Sequence, residues 1–233
     1  MCQSYPDIEY IVVDGASVDA TMDIVNEYRS VIARVVSEPD KGLYDAMNKG
    51  IAMASGDVVG ILNSDDFFET DDALASVAEA FKSNPEAQLA FGDIVFVNGG
   101  DLTKVTRFYG AAHFKPWKLR FGWMPPHPGT FVRREAYKLV GEYSTQYRIS
   151  ADYDMFVRLL LVHKQKYVRI NKTLVRMRAG GVSTSGLRSS FKLNSEIVQA
   201  CRRNGIYTNM AMVLSKLPFK LMEYVKRPRG THQ

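Results

Sequence analysis

The run Val58-Val59-Gly60-Ile61-Leu62-Asn63-Ser64-Asp65-Asp66 constrains the fold more than any other stretch, because an apolar segment ends abruptly in two adjacent carboxylates. Its length and β-branched content predict a buried strand over 58–62. Asp65 and Asp66 then stand at the strand's carboxyl end, the edge where open α/β sheets bind ligands. Two ionised groups side by side repel each other unless a cation lies against them. Oxygen-only ligands suit magnesium or manganese, and such an ion usually holds a diphosphate. The same pair would equally cap a turn or the next helix, a common use of Asp.

The strand-and-carboxylate pattern recurs. Residues 9–14 read as a buried strand ending in Asp14, with Gly15-Ala16-Ser17 as a turn, and from Thr21 the apolar positions Ile24, Val25, Tyr28, Val31 and Ile32 fall at helical spacing. Val35-Val36-Ser37 is a short strand. Leu43, Ala46, Met47, Gly50, Ile51 and Ala54 mark one helix face, with Gly56 as the stop. After the strand over 58–62, Ala73, Leu74, Val77, Ala78 and Phe81 define another helix. Strands alternating with helices predict an α/β architecture with a mostly parallel sheet.

Residues 89–97 and 103–109 then read as an antiparallel pair joined at Asn98-Gly99-Gly100. Residues 110–130, rich in Gly, Pro, His and aromatics, have the character of a functional loop. A helix starts near Arg134, and a stronger one follows with Met155, Phe156, Leu159 and Leu160 buried. Short strands over 168–170 and 174–177 precede a flexible link at Gly180-Gly181-Val182-Ser183 and a basic helical tail.

Composition excludes several classes. A hydrophobic fraction of 46% and a charged fraction of 24% are those of an ordered globular chain. Two cysteines, Cys2 and Cys201, allow neither a disulfide framework nor a thiolate metal cluster, and fit a reducing compartment. No apolar run reaches 18 residues, and the first residues lack the features of a signal peptide, so a cytoplasmic location is expected. The net charge of +5 is concentrated in the last third without a nucleic-acid motif, and no nucleic-acid partner is expected.

Asp14, Asp65 and Asp66 all end strands on one predicted sheet edge. Asp152, in Ser150-Ala151-Asp152-Tyr153-Asp154, opens a helix. A helix amino terminus favours the ionised carboxylate, as a general base requires, although a simple helix cap has the same sequence.

These segments resemble the motifs of family-2 glycosyltransferases. Residues 11–21 are similar to the family's "VDDGSTDGT" segment, and Ser37-Glu38-Pro39-Asp40-Lys41-Gly42 through Asn48-Lys49-Gly50-Ile51 to its next block. Residues 62–66 resemble its DxD region, and Ala151-Asp152-Tyr153-Asp154 its "ED" motif. The resemblance covers residues 3 to about 183. It implies a GT-A domain over 1–183, a Rossmann-like mixed sheet flanked by helices, with a basic helical extension over 184–233, and inverting transfer of a sugar from a nucleoside-diphosphate donor. It further implies that Asp14 contacts the nucleobase and Lys41 and Asp45 the nucleotide. Asp65 would meet the ribose or the metal, Asp66 a Mg2+ or Mn2+ ion, and Asp152 would act as the base.

Three departures accompany the resemblance. Asn63 stands at the first position of DxD, and Ala151 replaces the acid before Asp152. The family's first strand and helix have no counterpart, so the chain reads as amino-terminally truncated, poorly soluble and nearly inactive. A non-catalytic remnant or binding module is the alternative.

His127 matches a family position beside the acceptor cleft, and Trp117 and Trp123 are candidates for stacking on a sugar. Over 211–229, Leu214, Leu217, Leu221 and Val225 share one helical face and Lys216, Lys220, Glu223 and Arg227 another. That pattern suits an anionic membrane surface, and with it a peripheral enzyme acting on a lipid-linked or saccharide acceptor of the cell envelope. It also suits docking on the protein's own core.

Overall fold

The computed structural model describes residues 3–178 and 186–219, the side chains of 186–189 excepted. Strand β5 (Leu89–Asn98) is its spine, apolar and buried on both faces almost to its end. One edge of β5 pairs in parallel with β8 (Tyr167–Arg178). The other pairs antiparallel with β7 (Thr130–Arg133) along its first half and with β6 (Asp101–Tyr109) along its second. Strands β3 (Val58–Gly60) and β4 (Phe67–Phe68) complete a six-stranded sheet in the order β3-β7-β5-β8-β4, with β6 beside β5. Strands β1 (Ile11–Asp14) and β2 (Arg34–Ser37) form a separate parallel pair.

The architecture is therefore α/β with a mixed sheet, as the family resemblance implies, although fewer strand pairs are parallel than the alternation of strands and helices suggests. An alternating sequence shows that crossovers occur without showing which strand each will lie beside. Here β3 pairs with β7, a distant and antiparallel neighbour. Strand β3 also stops at Gly60, because β7 offers only four residues of ladder; Ile61 leaves it to pack on the main core. The two strands expected over 168–170 and 174–177 are one strand, β8, with register shifts opposite Asp93.

Helix α2 (Leu43–Met53) ends at Ala54 in extended backbone, not at a left-handed glycine. Gly56 instead helps seat the start of β3: its N–H and that of Ser55 donate to the Glu9 carboxylate just ahead of β1. Helix α1 (Thr21–Glu27) buries none of its residues, and Ile24 and Tyr28 are each 55% exposed. A sheet of two four-residue strands gives its apolar positions too little surface to cover them.

Helix α3 (Ala73–Ser83) covers one face of the large sheet with Ala73, Val77 and Phe81 against Ile94, Phe131, Leu174 and Val175. The other face carries the larger core, drawn from α2, α4 (Arg134–Val140) and α5 (Ala151–Val157). Helix α5 runs on as a π-helical turn, Arg158–Val162, and Met155, Phe156, Leu159 and Leu160 are buried as their spacing predicts. Helices α6 (Gly186–Arg203) and α7 (Met210–Leu214) add Ile197, Ala200, Cys201 and Val213 to the same core.

The tail faces the protein differently from its sequence pattern. Lys216, expected on the polar face, is buried and its ammonium donates to the Gly122 carbonyl at 3.0 Å, whereas Leu214 and Leu217 are 38% and 44% exposed. Gly122 permits this approach because it adopts φ +75° at the end of a 3-10 helix over Pro116–Phe121, and a side chain there would strike the Lys216 ammonium. The link at 180–183 and the tail beyond Phe219 lie outside the described residues.

Candidate active site

Asp14 ends β1 with both carboxylate oxygens engaged. Ser17 donates through its N–H (3.0 Å) and hydroxyl (2.5 Å), and Ser37 through its hydroxyl (2.6 Å). These bonds hold the Asp14 carboxyl below the usual range, so it is a permanent anion at neutral pH. The turn that follows is tight. Ala16 sits at φ +63°, and a side chain at Gly15 would strike the Asp40 carboxylate. Backbone held in this sparsely populated region is characteristic of ligand sites.

Lys41 and Asp45 are one unit at the start of α2, where the Lys41 N–H donates to the Asp45 carboxylate at 3.1 Å. Lys49 pairs with the same carboxylate at 3.7 Å and with Glu38 at 2.8 Å. The Lys41 side chain is exposed.

Two α2 residues one turn apart carry the contact to Asp152. The Tyr44 hydroxyl donates to the Ile149 carbonyl at 2.5 Å and approaches Asp152 Oδ1 at 3.4 Å. Asn48 clamps Tyr143 through both ends of its amide, donating to the Tyr143 carbonyl and accepting its N–H, each at 2.8 Å. Tyr143 in turn stacks on Tyr44 with ring centres 5.9 Å apart. Asp152 Oδ1 also accepts the Tyr153 N–H at 2.7 Å, while among the described residues Oδ2 has no hydrogen bond. Burial outweighs these bonds and pushes the Asp152 carboxyl up to about 6.

His127 packs edge-on against Tyr143 and Phe156, its Nε2 2.9 Å from the Tyr143 hydroxyl. Burial pushes the imidazole down to about 4, so it is neutral at physiological pH. A small cavity beside it is lined by Ile61, Thr130, Tyr137 and Tyr143, which links the end of β3 to the Tyr143–Asp152 cluster. Trp117 is 55% exposed, against Phe121 and Lys118.

Asp65 is exposed and Asp66 buried at the turn after β3. Asn63, standing where the family has its first carboxylate, donates to Asp66 Oδ2 at 3.0 Å. Asp66 Oδ1 is buried with no hydrogen-bond partner among the described residues. Burial, reinforced by the charge of Asp65, raises the Asp66 carboxyl. An orphaned buried carboxylate oxygen beside a second, exposed carboxylate fits a hard divalent cation. No group of three or more His, Cys, Asp or Glu side chains that could hold a metal occurs among the described residues.

Sequence reasoning missed Tyr44, Asn48 and Tyr143. Tyr44 and Asn48 were visible as an i, i+4 pair on α2, but their partners lie 105 and 95 residues away.

The curled mixed sheet, with carboxylates clustered around its loops and helix starts, defines the GT-A class of nucleotide-sugar-binding folds. It superposes on S. aureus TarS 1–349 in complex with UDP-GlcNAc with a TM-score of 0.66 at 16% identity, covering 93% of this chain and 65% of that one. A mannosyltransferase from Pyrobaculum calidifontis in complex with GDP-Man and Mn2+ gives 0.61 at 18% identity, with 96% and 66% covered. The chain belongs to glycosyl transferase family 2, whose sequence profile matches residues 2–141. It is 33% identical over 162 residues to a PGL/p-HBAD biosynthesis glycosyltransferase of Mycobacterium bovis, over 67% of this chain and 59% of that relative's length.

Proposed function

We propose that this chain moves a sugar from a nucleoside-diphosphate donor to an acceptor hydroxyl, with inversion at the anomeric carbon. The observation that carries the reading is Asp152, whose carboxyl is tuned by burial to about 6 and keeps Oδ2 free of hydrogen bonds among the described residues. A base needs an unengaged lone pair and a proton affinity near the working pH. As the acceptor oxygen attacks the anomeric carbon, Oδ2 takes its proton and the bond from that carbon to the diphosphate breaks on the opposite face. One displacement needs one base and no covalent intermediate.

Asp14, a permanent anion, accepts N–H groups of the nucleobase. Lys41 and Asp45, joined through the Lys41 amide, line the nucleotide. Asp65 and Asp66 hold Mg2+ or Mn2+, which when bound neutralises the departing diphosphate. His127 serves the acceptor side as a neutral hydrogen-bonding group. The exposed Leu214, Leu217 and Phe219 support peripheral attachment to an anionic membrane and a lipid-linked or saccharide acceptor, in cell-surface glycan synthesis. The Asn63 amide on Asp66 favours a second reading, a binding module without turnover.

Asp152→Asn tests the assignment. Donor affinity measured by calorimetry should be unchanged, while turnover falls by about two to four powers of ten. Retained turnover removes Asp152 as the base. A wild-type chain that binds donor with manganese but never turns it over leaves the binding module.

A further inference from the structure

We propose that Glu196, on helix α6, is a positioning residue for the transfer step: its carboxylate seats the segment that presents Asp152 to the acceptor. The proposal rests on the reading of Asp152 as the base. Glu196 is only 7% exposed and is aimed at the backbone just ahead of α5. Its Oε1 accepts the Arg148 N–H at 3.2 Å, and its Oε2 accepts those of Ile149 (2.9 Å) and Ser150 (3.0 Å).

These amides have no local partner. Ser150 stands at the cap position of α5 without capping it, and its hydroxyl turns instead to the Leu193 carbonyl of α6 at 3.4 Å. A carboxylate from another helix therefore satisfies the amide of the cap residue and those of the two residues before it, which fixes how the chain enters α5. The opposite side of the segment is held by α2, where the Tyr44 hydroxyl binds the Ile149 carbonyl and reaches Asp152 Oδ1. Residues 148–150 are gripped through their amides by α6 and through a carbonyl by α2, and Asp152 is the second residue beyond.

Glu196 also acts on Asp152 through its charge. The groups facing Asp152 are Tyr44 from α2, Tyr143 from the loop after α4, the Tyr153 amide of α5 and Glu196 from α6. Glu196 is the anion among them and adds to the rise that burial imposes on Asp152. Lys192, 4.0 Å from Glu196 and about half exposed, offsets it weakly.

The test is the full-length Glu196→Gln variant, followed by turnover against pH, donor KM and melting temperature. Glutamine has one acceptor oxygen for three amides and no charge. Turnover should fall about tenfold or more, as expected when a reacting group is misplaced, while donor KM stays within about twofold because no donor-binding residue is touched. The acidic limb of the profile, near pH 6 in the wild type, should move to lower pH. Glu196→Asp keeps the charge but draws it back by one methylene, so turnover should fall with the limb unmoved; it decides the matter if the glutamine variant does not fold. A lowered melting temperature with turnover and limb unchanged per folded molecule overturns the positioning role. If Asp152→Asn keeps its turnover, the base reading fails instead, whatever Glu196→Gln does.

Discussion

Three aspartates of the site are held in three electrostatic states, each set by its neighbours. Hydroxyls and backbone amides keep Asp14 ionised, burial and the charge of Asp65 raise Asp66 against the Asn63 hydrogen bond, and burial opposed by hydrogen bonds brings Asp152 to about 6. Their positions were legible because a strand or helix boundary that carries a carboxylate is a local pattern. Their states were not, because desolvation depends on what packs around them. A carboxyl raised by burial contributes stability at low pH that is lost as pH rises through its raised value, so ionised Asp66 weakens the fold at neutrality. Asp66→Asn should therefore leave the melting temperature equal or higher without metal. It should also weaken manganese-dependent donor binding by at least the roughly 10- to 100-fold that loss of an outer-shell partner costs. Calorimetry with and without manganese measures this, and an unchanged metal dependence would discard Asp66 as a ligand.

At the scale of elements, periodicity identified α3 and α5, because each has a sheet face to cover and its apolar positions follow from that. It placed a helix from Thr21, where α1 begins, but α1 stops at Glu27, short of Val31 and Ile32, and it split β8 in two. The joints between elements were invisible. Asn48 on α2 satisfies both the N–H and the carbonyl of Tyr143, a buried pairing no local rule predicts. Asn48→Ala should leave both groups unpaired and cost about 1–3 kcal/mol, the usual penalty for buried polar groups without partners. Chemical denaturation would show it as a lower midpoint at unchanged slope. A midpoint within error of wild type would mean that water replaces the amide.

Across the whole molecule, α6 and α7 are built into the core that supports Asp152 rather than merely appended to it. They also leave one surface uncovered. From residue 197 to Phe219 the chain has no Asp or Glu, while Leu214, Leu217 and Phe219 stand 38%, 44% and 62% exposed. The full chain should float with anionic vesicles and not with neutral ones. The double change Leu217→Ser and Phe219→Ser should lower the partition at least about tenfold, given roughly 1.5–3 kcal/mol for each buried apolar side chain. Flotation indifferent to these changes would remove the membrane surface from the proposal. The sequence by itself determined the α/β class, the family and the carboxylates at the end of β1 and the start of α5, because each is written in residues close together along the chain. Tertiary structure alone decided which strands pair with which, such as β3 with β7, the inward turn of Lys216, and the grip of Tyr44, Asn48 and Glu196 around Asp152. Those features depend on which distant segments meet, and burial and hydrogen bonding are settled only at that meeting.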